Sequence, residues 1–181
     1  MKTGKTEYKN LPVYGSQTFD PNTRDSISHK VPPFSLKNTS GHPFKSEELN
    51  GSVYVVSLHP VHCDDTCRKV QEQLLRVQNS YTHIENVMIV SLFPKDGSAS
   101  GSENFALQNE IDTQRWKLLT ANSDEINDLW EQGYLQEEAA HQNLVLTDQY
   151  GRIRGIYDGT QREEGKRLMD EINLLLRMDG K

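Results

Sequence analysis

Apolar and polar positions along the chain alternate between strand-sized buried runs and amphipathic stretches. "SVYVVSLHP" (52–60) is apolar and β-branched over most of its length, which predicts a strand covered on both faces in the middle of a sheet. "CDDTCRKVQEQLLRVQNSY" follows with a different period. Val70, Leu74, Leu75 and Val77 form one stripe of a helix, and Asp64 and Asp65 suit the positive end of its first turn. "ENVMIVSLF" is a second buried strand. The Gly/Ser-rich loop "PKDGSASGS" comes next, then a short helix containing Phe105, Leu107 and Ile111. "RWKLLTA" predicts a short strand, with Ser123 as N-cap of the helix "DEINDLWEQGY". "NLVLTD", the turn "QYG" and "RIRGIYDG" predict a hairpin. The final helix, "REEGKRLMDEINLLLRM", turns Leu168, Ile172, Leu175 and Leu176 toward the sheet.

Two further segments precede this core. Residues 1–30 are polar and rich in turn formers, and read as an irregular arm or the remains of a tether. Order is expected from Val31: Phe34 and Leu36 point inward, Asn38-Thr39-Ser40-Gly41 reverses the chain, and Phe44 returns on a second short strand. Strand-helix-strand, helix, hairpin and final helix is the order of a thioredoxin-like α/β three-layer sandwich, here with an extra N-terminal β-hairpin. The domain is expected to span residues 31–181.

Composition narrows the function. With 181 residues, 34% of them hydrophobic, the chain fits one domain with a real core. A net charge of −6 and no long Lys/Arg run argue against nucleic acid as a partner. The apolar runs are too short to cross a bilayer. "MKTGKTEYKN" has no signal-peptide pattern, so the protein either acts in the cytoplasm or lacks its export segment in this chain.

Chemistry concentrates in "HPVHCDDTCRKV" (59–70), which holds both cysteines and two of the six histidines. On a helix Cys63 and Cys67 lie one turn apart on one face, with a Cα separation of about 6 Å that a disulfide can bridge. Two thiolates at that spacing also hold one ion and leave room for a third ligand. The gap is one residue longer than the C-x-x-C of thioredoxin-type oxidoreductases, and a second cysteine pair for structural zinc is absent. Two thiolates with one imidazole form a soft set suited to Cu(I) and able to take Cu(II). Redox pair, metal site and two small residues packing a helix start all stay open on this ground.

Among the histidines, His59 ends a buried strand and reads as a hydrogen-bonded structural residue. His62 adjoins Cys63, to tune its thiol or to lie in solvent. His29, His42 and His83 read as surface residues. His141, in "EEAAHQNLVLTD", precedes the hairpin where a thioredoxin-like fold brings the chain beside the cysteine helix. It either faces the sulfurs or caps an exposed turn.

From about Val31 to the C-terminus the chain resembles the Sco/SenC family, thioredoxin-fold copper proteins that assist assembly of the dinuclear copper site of cytochrome c oxidase. The matching stretches are "PPFSLKNTSGHPFKSEELNG", "CDDTC" for the family's C-P-D-x-C-P, "LLTANSDEINDLWEQGY", and His141 ahead of "LVLTDQYGRIRGIYDG". The resemblance implies Cys63 and Cys67 as redox-active thiolate ligands and His141 as imidazole ligand. Copper is the implied metal, alternating with a metal-free disulfide or dithiol. It also implies an exported domain tethered at the periplasmic face by an N-terminal anchor, and contacts with a copper donor protein and an oxidase subunit. Asp64 and Arg68 stand where the family has prolines, and Phe93 where it has an Asp. A thiol-disulfide oxidoreductase, and a redox sensor or binding module that kept the fold without the chemistry, are the alternatives.

Overall fold

The computed structural model of the protein describes residues 10–95 and 101–179. The first nine residues and the centre of the Gly/Ser-rich loop lie outside that set. A seven-stranded mixed sheet runs in the order β4(43–45), β3(35–38), β7(116–122), β6(87–95), β5(53–58), β8(143–147), β9(153–158). Strands β5, β6 and β7 are parallel, while β3, β4, β8 and β9 join them antiparallel. The crossover from β5 to β6 is α1(65–80), and from β6 to β7 it is α2(101–109). Helix α3(123–128), continued by one wide turn through Gly133, follows β7, and α4(162–179) ends the described chain. This is the thioredoxin-like three-layer arrangement expected from the element order, with residues 35–45 forming its hairpin on one edge.

Strand geometry explains why the sheet is apolar on both sides. Side chains alternate faces, so each central strand feeds two cores. Val53 and Val55 of β5, Ile89 of β6, Trp116 and Leu118 of β7 and Leu144 and Leu146 of β8 pack against α1, α2 and α4. Tyr54, Val56, Leu58, Val90, Leu92, Leu119 and Val145 pack on the opposite face with Ile126 and Trp130. Each fully buried Val, Leu or Ile contributes about 1.5–3 kcal/mol, so these two rows carry most of the stability. The first core contains one polar thread: Trp116 Nε1 donates to Ser91 Oγ at 2.9 Å, and Ser91 and Ser57 hydroxyls meet at 2.8 Å. Buried donors are thereby satisfied just beneath the end of β5.

Three details differ from the sequence-based expectations. The N-cap of α3 is Asn122, whose side chain accepts from Glu125 N at 2.9 Å, so Ser123 is the first helical residue. Asn122 is also the last residue of β7, and its extended backbone leaves the carboxamide free to turn back onto the helix. Leu107 of α2 is 83% exposed, while Phe105 faces the core. Within the stretch read as an irregular arm, β1(17–20) and β2(25–28) form an antiparallel hairpin.

A buried charge is one of the ties between that arm and the domain, beside the backbone bond from Tyr14 N to Ile153 O at 3.0 Å. Arg154 donates to the carbonyls of Leu11 and Pro12 at 2.9 and 3.0 Å and to Asp148 at 2.9 Å. Both side chains are about 5% exposed. Asp148 also accepts from Arg152 and from the backbone N–H groups of Tyr150 and Arg152, shaping the β8–β9 turn. Replacing Asp148 with Ala strands a buried guanidinium. Urea denaturation of Asp148→Ala should show a loss of about 3–5 kcal/mol; a loss within about 0.5 kcal/mol, as at an ordinary surface position, would contradict this role.

Candidate metal and redox centre

The site lies where β5 ends and α1 begins, at the carboxyl edge of the parallel strands. Asp64 is the N-cap of α1: its carboxylate accepts from Cys67 N at 3.0 Å. Arg68 N donates to Asp64 O at 3.1 Å, a helical bond that proline at 68 could not make. Asp64 and Arg68 together give α1 a side-chain cap and a complete first turn. The exposed Arg68–Asp65 contact at 3.2 Å adds little.

Cys63 and Cys67 are joined as a disulfide, with Cα atoms 5.2 Å apart. Cys63 is exposed and Cys67 is buried, so solvent and partners reach the bond from the Cys63 side. His59 stands beside them. Its Nε2 lies 3.4 Å from Cys67 Sγ, and one nitrogen of His59 and both sulfurs lie within 4.8 Å of one another. Among the described residues this is the group with the donors and spacing to hold a metal ion.

The orientation of His59 follows from the sheet. His59 N donates to Leu92 O at 2.8 Å, carrying the β5–β6 ladder one residue past Leu58. Its side chain therefore falls on the same face as Val53, Val55 and Ser57, toward α1. There the ring stacks on Phe93 with centroids 4.4 Å apart and planes at 21°, and meets the edge of Phe105 at 5.5 Å. Nδ1 contacts Pro60 O at 3.0 Å, and the carbonyl requires a proton on that nitrogen. Nε2 is left with its lone pair toward the sulfurs. Burial holds the imidazole below its ordinary pKa, partly offset by the Pro60 carbonyl.

Gln71 completes the cluster. Its carboxamide nitrogen lies 2.8 Å from His59 Nε2, 3.3 Å from Cys63 Sγ and 3.4 Å from Cys67 Sγ. Cys67 and Gln71 stand one turn apart on one face of α1, and Cys63, which precedes the N-cap and so lies outside the helix that the spacing predicted for both cysteines, is brought to them by the disulfide.

His141 sits in the turn before β8, partly buried. Antiparallel pairing of Ser57 with Leu144 brings that turn past the end of β5. His141 consequently lines the same small pocket as His59, Pro60, Cys67, Gln71 and Phe105, and stands outside the tight group of three donors. His62 is exposed, as are His42 and His83. His29 is partly buried, its ring nitrogen bonded to Gly133 O at 2.9 Å, where a surface position was expected. The sequence predicts a structural His59 and no role for Gln71: the face of His59 is settled by its strand partner, and the three contacts of Gln71 arise only in the folded chain.

No family model and no curated protein matches the chain. Solved structures do. A Sco-family lipoprotein (SCO1/SenC) from Bacillus anthracis str. Ames matches with TM-score 0.70 and 20% identity, over 82% of this chain and 95% of that one. BsSco, a member of the Sco family of cytochrome c oxidase assembly proteins described as having a disulfide switch, matches with TM-score 0.69 and 19% identity, over 83% and 95%. Copper-bound ScoI of Bradyrhizobium japonicum matches with TM-score 0.57 and 15% identity, over 79% and 99%.

The cap on α1 is open to measurement. Asp64→Ala, with the disulfide intact, should lower stability by about 1 kcal/mol in thermal or chemical denaturation; stability equal to the parent would show that the first turn does not depend on this carboxylate. The structural comparisons make the chain similar in fold to the Sco proteins, the family its motifs resemble.

Proposed function

We propose that the protein is a divergent Sco/SenC-type copper-binding protein whose Cys63–Cys67 pair cycles between disulfide, dithiol and copper-loaded forms. The observation that carries this reading is a cysteine pair bonded at the mouth of α1, beside imidazole nitrogen, on a fold matched by Sco proteins. Reduction needs a dithiol partner. One of its thiolates attacks the exposed Cys63 sulfur, the S–S bond breaks with Cys67 as leaving thiolate, and the partner's second thiol resolves the mixed disulfide. Two electrons and two protons pass to this protein, and the partner leaves as a disulfide. The free sulfurs then release their protons to bind Cu(I), which is cargo, and His141 supplies the imidazole that closes the site.

In this reading the protein delivers copper, or keeps cysteines reduced, during assembly of the copper centre of cytochrome c oxidase. Its partners are a copper donor and an oxidase subunit. It works as an exported domain held at the periplasmic face by an N-terminal anchor; no described helix is long and apolar enough to cross a membrane. Tethering of the domain is the natural role for residues 1–30 ahead of a unit spanning 31–181.

Anaerobic titration of the reduced protein with Cu(I) should give one tight equivalent, weakened at least about tenfold in Cys63→Ala and in His141→Ala. Unchanged binding by Cys63→Ala would overturn the copper reading. Unchanged binding by His141→Ala would remove that residue from the ligand set.

A further inference from the structure

The three hydrogen-bond contacts of Gln71 converge on one point. A single carboxamide nitrogen lies 2.8–3.4 Å from a histidine nitrogen and two sulfurs. All three are electron-pair donors, and the group between them is a proton donor. Gln71 is thus a neutral stand-in at the position where a cation would be shared by the same three atoms. Its side-chain oxygen could not take that place, because it would face three acceptors.

Resting on the copper reading above, we propose that His59 Nε2 is a direct ligand of the ion held by Cys63 and Cys67, and that Gln71 is its placeholder, leaving when the ion enters. Metal–nitrogen and metal–sulfur bonds at such sites are about 2.0–2.3 Å, so an ion bonded to all three atoms overlaps the volume of the Gln71 amide. Ion and carboxamide cannot occupy the centre together. Gln71 is partly exposed on α1, so its carboxamide borders solvent.

Three features prepare His59 for ligation. The Pro60 carbonyl accepts a hydrogen bond from Nδ1–H and so leaves Nε2 unprotonated, the arrangement that fixes tautomer and ring direction in metal-bound histidines. Phe93 and Phe105 hold the ring from its face and its edge. The β5–β6 ladder fixes the backbone at His59 N. Phe93 is thus the platform on which the His59 imidazole rests. His141, lining the same pocket, then completes a set of two sulfurs and two nitrogens.

The test uses the full chain, reduced and kept anaerobic, with Cu(I) supplied from a chromogenic chelator and the site read by X-ray absorption. His59→Phe keeps an aromatic ring against Phe93 and Phe105 and removes only the nitrogen. It should weaken Cu(I) binding at least about tenfold and lose one nitrogen scatterer. Gln71→Ala should bind Cu(I) no more weakly than the parent and take it up faster. Parent-like affinity and an unchanged absorption spectrum in His59→Phe would overturn the assignment of His59. Weakening by Gln71→Ala as large as that by His59→Phe would overturn the placeholder. Cys63→Ser and Cys67→Ser separate the levels: if they lose the ion while His59→Phe keeps it, only this inference fails, and if they bind as the parent does, the copper reading fails with it.

Discussion

The parallel register of β5 on β6 is the constraint on which the rest of the molecule depends. Val53 pairs with Val87 and the match runs without a slip to Leu58 and Leu92. Because side chains alternate, this register assigns every residue of both strands to one of two cores. One more step of the same ladder sets His59 against Phe93, and their rings stack. A shift of one residue would turn Val55 and Ile89 out of the α1 core and carry His59 away from the cysteines. Core and site are therefore specified by one pairing.

Helix α1 supplies the other half of the centre. Its N-cap sets the start at Asp65, the helical repeat aligns Cys67 with Gln71, and Cys63 meets them from the loop just ahead of the cap. The structure holds the sulfur–sulfur bond there; the proposed function adds a pair of thiols and an ion shared with imidazole as its alternatives. The disulfide and the ion exclude each other because both use the same sulfur electron pairs. Burial favours this economy, since a neutral imidazole and a neutral disulfide leave no uncompensated charge beneath the surface.

Much of this was legible in the chain. The apolar runs of β5, β6 and β8 are long enough and β-branched enough to read as buried strands, and the stripe from Val70 to Val77 reads as a helix. Element order then leads to the fold. The cysteine spacing marks the site. His59 was not legible as a ligand candidate because a histidine ending a strand has two possible faces, and only the strand partners settle which face it takes. Gln71 was hidden for another reason: a glutamine on a helix is ordinarily solvated, and its meaning comes from three partners four, eight and twelve residues before it. The β1–β2 hairpin was missed because its strands are short, polar and exposed, with none of the alternation that a buried face imposes.

A crystal structure of the reduced, Cu(I)-loaded protein tests the central claim most directly. The account requires the Cys63–Cys67 bond to be open, an ion within bonding distance of both sulfurs and of His59 Nε2, and the Gln71 carboxamide turned out of the centre. An ion bound elsewhere, or bound with Gln71 still bridging His59 and the two sulfurs, would contradict it.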